Sequence, residues 1–231
     1  MMVLDMLGIG PDGAEAIWLT VQVAVVGVIA SLPIGIALAL LLARVEFPGK
    51  MLVDGLVHLP LVLPPVVTGY LLLEAFLPHG PIGAPLREWF GLSVLFHWTG
   101  AAIAAAVMGL PLMVRTIRLS IEALDPRIEH AARSLGGGRW HVFRTITLPM
   151  VTPGIAAGTA LAFARSLGEF GATITFVSNI PGETRTLPIA IYSLLQMPGT
   201  EAEVMRLSIV SIILSLGALV LAEWLVKRRA A

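Results

Sequence analysis

The sequence predicts an all-α integral membrane protein with about five transmembrane helices in one membrane domain over residues 1–231. Two observations support this prediction. Of the residues, 57% are hydrophobic and only 13% are charged, whereas an ordinary soluble domain has about 25% charged residues. Five apolar stretches also reach the roughly 20 residues that a helix needs to cross about 30 Å of hydrocarbon.

The first of these stretches begins soon after the amino terminus. Residues 1–16 contain no Lys or Arg, and the apolar run behind them is too long for the core of a cleaved signal, so we expect the first helix to be retained. A sixth apolar piece, residues 187–197, is too short to cross and is expected to lie in the interface or to re-enter. The five predicted spans cover residues 17–43, 51–76, 98–114 and onward, 153–176, and 207–226.

The 15 basic residues are distributed unevenly between the two sides of the predicted bundle. Short cytoplasmic loops of membrane proteins are enriched in Lys and Arg. Only Arg87, Arg185 and Arg206 fall on one side, so we predict an outside amino terminus and a cytoplasmic carboxyl terminus. The basic residues that define the cytoplasmic side are Arg44 and Lys50 after the first span, Arg115, Arg118, Arg127, Arg133, Arg139 and Arg144 after the third, and Lys227, Arg228 and Arg229 after the fifth.

The predicted cytoplasmic loop over residues 125–149 has the pattern of two short helices. Asp125 can cap free N–H groups and Pro126 fits a first helical position, so a helix is expected to begin there. Gly136 and the two glycines after it should stop this helix, and Pro149 should close a second one. Small apolar residues among arginines favour either docking into a groove of another protein or resting on lipid headgroups. The apolar face of the first helix comprises Ile128, Ala131, Ala132 and Leu135.

This loop resembles the cytoplasmic coupling loop of importer permeases of the ATP-binding cassette (ABC) family. The pattern there is Glu-Ala-Ala, three residues, Gly, nine residues, Ile, one residue and Leu-Pro, and this chain keeps the full spacing. One position departs from it, because His130 stands where Glu is expected and the acid is one place earlier. The resemblance implies that the loop is gripped by an ATPase subunit. The residues that it assigns to coupling are Glu129, His130, Ala131, Ala132, Leu135, Gly136, Ile146, Leu148 and Pro149.

Three further stretches, residues 59–73, 163–176 and 179–192, resemble the permeases of molybdate importers. The middle one is also similar to sulfate permeases, so it indicates an oxyanion cargo more firmly than one anion. The resemblance implies an ABC importer permease fold working as a homodimer in the cytoplasmic (inner) membrane, with molybdate as cargo, tungstate as a second candidate and sulfate as the nearest alternative. It also implies two cytoplasmic ABC ATPase subunits and an extracytoplasmic molybdate-binding protein as partners, and no nucleic acid.

Two predicted spans break the rules for a simple lipid-facing helix. Three prolines at 60, 64 and 65 remove backbone hydrogen bonds from the second span, which should therefore be kinked and face the protein interior. In the fourth span, Arg165 and Glu169 stand four residues apart, where they form a salt bridge or the arginine attracts an anion in transit. Nearby hydroxyl groups donate to a tetrahedral oxyanion or bond their own backbone. The residues predicted to form the path or its gate are Pro64, Pro65, Thr68, Arg165, Ser166, Glu169, Thr173 and Thr175.

Two interpretations of another class stay open on the residues alone. Asp54 and His58, four residues apart, are expected to pair on one helix face. Together with Arg165 and Glu169 they could instead form the relay of an ion-driven secondary transporter, which would need no ATPase but would leave the loop over residues 129–149 unexplained. A structural membrane subunit with no path is the other interpretation, and it predicts lipid-facing second and fourth spans.

The chain is not expected to be an enzyme. No phosphate-binding motif of the form G-x-x-x-x-G-K-[ST] occurs, since Gly49 and Lys50 are followed by Met51. The five histidines show no metal-ligand spacing, and the sequence has no cysteine. We therefore expect no cofactor in this chain, with ATP and Mg bound by the partner ATPase.

Overall fold

The computed structural model describes residues 9–230, and within them the side chains up to residue 220 together with those of Glu223 and Trp224. Every regular element in this range is helical. Two sets of residues used above lie outside this description, namely the opening residues 1–8 and the basic side chains of residues 227–229.

The helices follow one another along the chain with short connections. A π-helical turn over Phe143–Thr147 joins two of them without a break, so that Arg139–Leu167 is one helix of 29 residues. In chain order the helices are α1 (Pro11–Arg44), α2 (Lys50–Val62), α3 (Pro65–Phe76), α4 (Gly83–Phe90), α5 (Trp98–Glu122), α6 (Pro126–Ser134), α7 (Arg139–Val142), α8 (Leu148–Leu167), α9 (Gly171–Val177), α10 (Leu187–Leu194) and α11 (Glu201–Ala230).

Helix α5 lies at the centre of the bundle. It packs against α1, α8 and α9. In its most apolar stretch of 18 residues, 61% of the residues are buried within the chain. Glycine makes the close approach of neighbouring helices feasible, because a Cβ atom added at Gly158 of α8 would lie 2.9 Å from the carbonyl oxygen of Met113. Small residues at helix contacts are the packing expected where lipid supplies no hydrophobic drive between helices.

Within residues 9–230, four helices are long and apolar enough to cross a membrane, namely α1, α5, the continuous α7–α8 helix and α11. The pair α2 and α3 makes a fifth span if the 117° bend between them belongs to one crossing. The bend lies beside Pro64, which confirms that prolines break this segment. The expectation that the second span faces the protein interior stays a prediction, and within one chain the two halves of the segment differ in burial. Helix α2 has no buried residue, whereas α3 buries Thr68 and Gly69.

The predicted fourth span over residues 153–176 has the wrong bounds. The helix begins earlier, at Arg139, and ends at Leu167. A new helix, α9, starts four residues later, at Gly171, where Glu169 Oε1 accepts a hydrogen bond of 2.9 Å from Ala172 N and so satisfies a free donor at the helix start. The carboxylate that was placed inside a span therefore marks a break in the membrane segment.

Pro149 does not close a second short helix, which corrects another expectation. It lies in the first turn of α8, a position at which a helix tolerates the missing N–H of proline. In the π-turn before it, Leu148 N donates to Phe143 O, five residues back. The chain therefore passes from the loop into the bundle as one continuous helix.

The sixth apolar piece forms only the eight-residue helix α10, which is too short to cross, as predicted. Leu187 N, at the start of α10, donates a hydrogen bond of 2.7 Å to Thr20 Oγ1 of α1. Leu187 and Leu207 are also buried together with Ala16. These contacts tie α10 and α11 to the first span.

Candidate coupling loop and translocation path

Helix α6 begins and ends where the sequence predicts. Arg127 N donates a hydrogen bond of 2.9 Å to Asp125 Oδ1, and Pro126 is the first helical residue, so the predicted cap is confirmed. At the other end Gly136 has a φ of +91°, a left-handed backbone conformation that side chains other than glycine adopt only with strain. These two signals give α6 a fixed length of nine residues.

The apolar face of α6 is exposed. Leu135 is 89% exposed and Ile128 is 40% exposed. Ala131 is exposed as well, while Ala132 is partly buried. Beyond the glycines, Trp140 is 71% exposed and its ring stacks on Phe143 with centroids 5.6 Å apart. An exposed large apolar surface of this kind marks an interaction site more often than an ordinary surface.

Glu129 lies on the opposite face of α6 and points into the protein. Its Oε1 is 2.9 Å from Arg44 Nη2, and its Oε2 accepts a second hydrogen bond of 3.3 Å from Arg44 Nη1. Thr147 Oγ1 also donates to Glu129 Oε1 at 2.6 Å. The carboxylate therefore joins the loop helix to the end of α1 and to the π-turn that leads into α8. His130, at the position where the family pattern has Glu, is exposed.

Arg44 and Thr147 were missed as partners of this carboxylate by the reasoning from sequence. Arg44 entered only as one of the positive charges that set the orientation, although it is the last residue of α1 and stands alone at the end of a long apolar helix. Thr147 is buried because the π-turn rotates it toward Glu129. Ile146 and Leu148 beside it are partly buried, and Pro149 is exposed.

In the membrane segment, Arg165 and Glu169 form an ion pair. Arg165 Nη1 is 2.8 Å from Glu169 Oε2, and the glutamate side chain is only 2% exposed whereas that of Arg165 is 28% exposed. The same carboxylate caps α9 through its other oxygen. A buried carboxylate with a cationic partner and a backbone donor avoids the cost of an isolated charge. The expected salt bridge is therefore present, and Arg165 keeps a partly accessible edge.

Two of the candidate path hydroxyls are satisfied by the backbone. Ser166 Oγ donates to the carbonyl oxygen of Ala162 at 2.8 Å, and Thr175 Oγ1 donates to that of Gly171 at 2.8 Å. Thr68 differs, because its side chain is buried and its Oγ1 makes no hydrogen bond with any described residue. A buried hydroxyl usually has a partner. Thr68 is therefore the path candidate whose hydroxyl has hydrogen-bonding capacity left within this single chain.

Helices α3 and α9 approach each other closely and bring the two broken segments together. A Cβ atom added at Gly69 would lie 2.5 Å from the carbonyl oxygen of Ala172, and one at Gly171 would lie 2.8 Å from Pro65 Cβ. Thr173 is buried within α9. The structure thus places the prolines and Thr68 of one broken segment beside the capped helix of the other.

A second ion-pair group lies on α2 and α5. His58 Nδ1 is 3.2 Å from Asp54 Oδ1, so the two side chains lie together on one helix face as predicted, and the same nitrogen makes a hydrogen-bond contact of 2.9 Å with the backbone carbonyl oxygen of Asp54. Arg118 Nη1 is 3.1 Å from Asp54 Oδ2, a partner that the sequence did not reveal. Arg118 also contacts Glu122 at 2.7 Å. Asp54 thus has two close side-chain neighbours, one on its own helix and one on α5.

These features together define a class, an α-helical membrane protein with broken membrane segments and an exposed loop helix that is joined to its spans by an ion pair. The chain belongs to the family described as binding-protein-dependent transport system inner membrane component, whose model matches residues 31–230. It is a multi-pass inner membrane component of an ABC transporter, and not its ATPase.

The chain is similar to permease proteins of molybdenum and sulfate transport systems. The chain is 59% identical over 213 residues to the molybdenum transport system permease protein ModB of Escherichia coli strain K12, with coverage of 92% of this chain and 93% of that one. It is 58% identical over 214 residues to ModB of Haemophilus influenzae, with 93% of each covered. Identity falls to 41% over 162 residues with the sulfate transport system permease protein CysT of E. coli, where 70% of this chain and 58% of that one are covered.

The fold matches that of solved ABC importers. A bacterial ABC transporter for import of the acidic polysaccharide alginate aligns with a TM-score of 0.76 at 20% identity, covering 97% of this chain and 82% of that one. The MetNI methionine ABC transporter, in inward facing conformations, aligns with a TM-score of 0.74 at 13% identity, covering 94% and 95%. At these identities the likeness concerns the fold alone.

Proposed function

We propose that this chain is the membrane-spanning permease of an ATP-driven importer that passes molybdate into the cytoplasm, with tungstate as a second cargo. The observation that carries the proposal is the 59% identity to E. coli ModB over 92% of this chain, against 41% over 70% for the sulfate permease. The broken segments carry two features that suit an anion cargo, namely a partly accessible arginine, Arg165, and a buried hydroxyl without a partner among the described residues, that of Thr68.

Energy for uphill import enters through the loop helix α6. Two cytoplasmic ATPase subunits each hold one such loop in a dimer of the permease, and they bind ATP with Mg. The exposed face with Ile128, Ala131 and Leu135 suits an apolar groove of that subunit, and Gly136 ends the helix so that the face has a defined length. The buried contacts of Glu129 then transmit the motion of the loop to α1 and α8.

The path for the anion lies on the dimer axis, where each lining residue is present twice. We assign its lining to the α2–α3 pair, α5 and α8. A loaded extracytoplasmic binding protein docks on the opposite side to α6, on the loops over residues 78–97 and 177–203. This arrangement places the amino terminus outside and the carboxyl terminus in the cytoplasm, as the basic residues predict.

An ion-driven secondary transporter is less well supported. Its four relay candidates fall into two groups, because Asp54 pairs with His58 and Arg118 whereas Glu169 pairs with Arg165. A sulfate permease of the same class remains the nearest alternative, since the chain is 41% identical to one.

The test is ATPase activity of the permease reconstituted with its candidate ATPase and binding protein, with molybdate, tungstate, sulfate and phosphate added separately. Stimulation by molybdate and tungstate alone is the expected result. Stimulation by sulfate would retain the transporter class and change the cargo. No response from intact, assembled components would refute an ATP-driven importer.

A further inference from the structure

A cavity of about 340 Å³ lies between the end of α1, helix α6 and the start of α7. We call it the basic cavity. It is lined on its polar side by three arginines, one histidine and a single carboxylate, and on its apolar side by residues such as Leu40. The charged and titratable lining residues are Arg44, Arg133, Arg139, His130 and Glu129.

The charge of this cavity is not balanced by its own residues. Glu129 is engaged by Arg44 at 2.9 Å and reaches Arg133 only at 3.9 Å, so one carboxylate faces three guanidinium groups. Arg139 forms no ion pair with any residue in the described part of the chain. Two of the three positive charges therefore lack a close counter-charge. Arginine forks bind phosphate-type oxyanions through paired, charge-assisted hydrogen bonds.

The basic cavity is distinct from the face proposed to meet the ATPase. Residues 126, 129, 130 and 133 of α6 line the cavity, whereas Ile128, Ala131 and Leu135 lie on the exposed apolar face. Leu40 of the first span forms part of the cavity wall and also packs against the hydrophobic core of the bundle.

We propose that the basic cavity is a binding site for a phosphate-type oxyanion, held by Arg133 and Arg139. The chemistry is shared by the headgroup of an anionic phospholipid and by a free anion from the cytoplasm. Basic pockets between membrane helices on the cytoplasmic side are known to hold anionic lipid headgroups. An anion in this place would neutralise the arginines that surround the Arg44–Glu129 contact, and so would affect the stability of the loop.

The experiment uses the full-length chain, purified from membranes and analysed by native mass spectrometry. One arm places it in nanodiscs with equal amounts of phosphatidylglycerol and phosphatidylcholine. The other arm titrates delipidated protein in neutral detergent with inorganic phosphate and with molybdate. The test variant is R133Q/R139Q, and the matched control is R127Q/R144Q, which removes the same charge from the same loop but from residues that do not line the cavity.

We expect the unmodified chain and the control to retain phosphatidylglycerol in preference to phosphatidylcholine, and R133Q/R139Q to lose at least about tenfold of that retention, because charge-assisted hydrogen bonds are the strong ones. Glu129→Gln should increase retention, since it removes the only carboxylate of the cavity. Binding of phosphate or molybdate with the same dependence on the two arginines, without lipid preference, would assign the site to a free anion.

Equal retention of phosphatidylglycerol by test and control variants, with no arginine-dependent binding of either free anion, would overturn the proposal. Thermal unfolding of each variant checks that the fold is kept. Little change is expected, because within the described residues Arg139 has no ion pair and Arg133 has only the long contact of 3.9 Å with Glu129. The measurement does not depend on which anion crosses the membrane, so its failure is distinguishable from failure of the proposed transport function.

Discussion

Arg44 and Glu129 are 85 residues apart in the chain and meet through two hydrogen bonds of 2.9 and 3.3 Å. The contact joins the last residue of the first span to the middle of the loop helix. Because Thr147 donates to the same carboxylate, α6 is joined both to α1 and to the helix that contains α8. The contact between Arg44 and Glu129 therefore brings together parts of the chain that are distant in the sequence.

Reversing this ion pair tests whether it transmits motion. Arg44→Glu should uncouple ATP hydrolysis from transport, because two carboxylates would repel each other at the joint. We expect a stability loss of about 1 to 3 kcal/mol, below the 3 to 5 of a fully buried broken pair, since Arg44 is partly exposed. The ratio of anions transported to ATP hydrolysed is the measurement. The double variant R44E/E129R should recover much of that ratio, and no recovery would argue against a direct role for the pair.

The left-handed glycine at the end of α6 can be tested against a neighbouring glycine. Gly136→Val should stop transport while membrane insertion is kept, since a β-branched residue at a φ of +91° strains the helix end by about 1 to 2 kcal/mol or more. Gly138→Val is the control, because Gly138 has a φ of −64° and open space around it. Transport assays on membranes with equal amounts of protein compare them. Equal activity of the two variants would contradict a requirement for this turn.

Close approach of the two broken segments makes Gly69 sensitive to a single methyl group. Gly69→Ala would push a Cβ atom against the Ala172 backbone, which is rigid, so we expect destabilisation of about 1 to 3 kcal/mol and reduced transport. Gly55→Ala on α2 is the control, since no atom lies within 4 Å of a Cβ there. Thermal unfolding in detergent should separate the two variants. A neutral Gly69→Ala would mean that α3 and α9 can move apart at little cost.

The unsatisfied hydroxyl of Thr68 separates a role in transport from a role in folding. Thr68→Val keeps the shape and removes a hydroxyl that has no partner among the described residues, so the free energy of unfolding should be unchanged or slightly increased. If Thr68 contacts the anion, transport should fall by about tenfold, the loss expected for one hydrogen bond to a charged group. Uptake and unfolding are measured on the same preparation. Normal uptake would remove Thr68 from the path.

Glu169 can be dissected because its two oxygens do different things. Glu169→Gln keeps an oxygen that can cap α9 but loses the charge opposite Arg165, whereas Glu169→Ala loses both. We expect the alanine variant to assemble less well than the glutamine variant, as judged by size-exclusion chromatography.

An assembled but inactive Arg165→Ala variant would favour a role of Arg165 in the path, and lost assembly would favour a structural one.

Local signals allowed the sequence to predict the loop helix well. Asp125, Pro126 and Gly136 act within a few residues of their own position, so their effects can be read without tertiary structure. The break after α8 could not be predicted in this way. Glu169 caps the helix that follows it, so the membrane segment breaks at this residue. The apolar composition of the stretch gives no sign of that break. The π-turn before Pro149 was missed for a similar reason, because a proline alone signals an end or a beginning.

Contacts between residues that are distant in the sequence were the other features that could not be predicted. Asp54 and His58 were paired correctly because they stand four residues apart, whereas Arg118 on another helix was not foreseen. The same holds for Arg44 and Glu129. Lys and Arg near the cytoplasmic end of a span are expected from the orientation rule alone, so the presence of Arg44 did not indicate that it also pairs with Glu129.

The contact between Arg44 and Glu129 also limits how many times the chain between these two residues can cross the membrane. It requires the end of α1 and the loop after α5 to lie on the same face of the bilayer. If α5 crosses, its first residue lies on the other face, so the chain between Arg44 and Trp98 must cross an odd number of times. Among the described helices between those residues, only the bent α2–α3 pair is long and apolar enough to cross a membrane. We infer that this pair traverses the membrane rather than turning back, which makes the number of crossings between Arg44 and Trp98 odd.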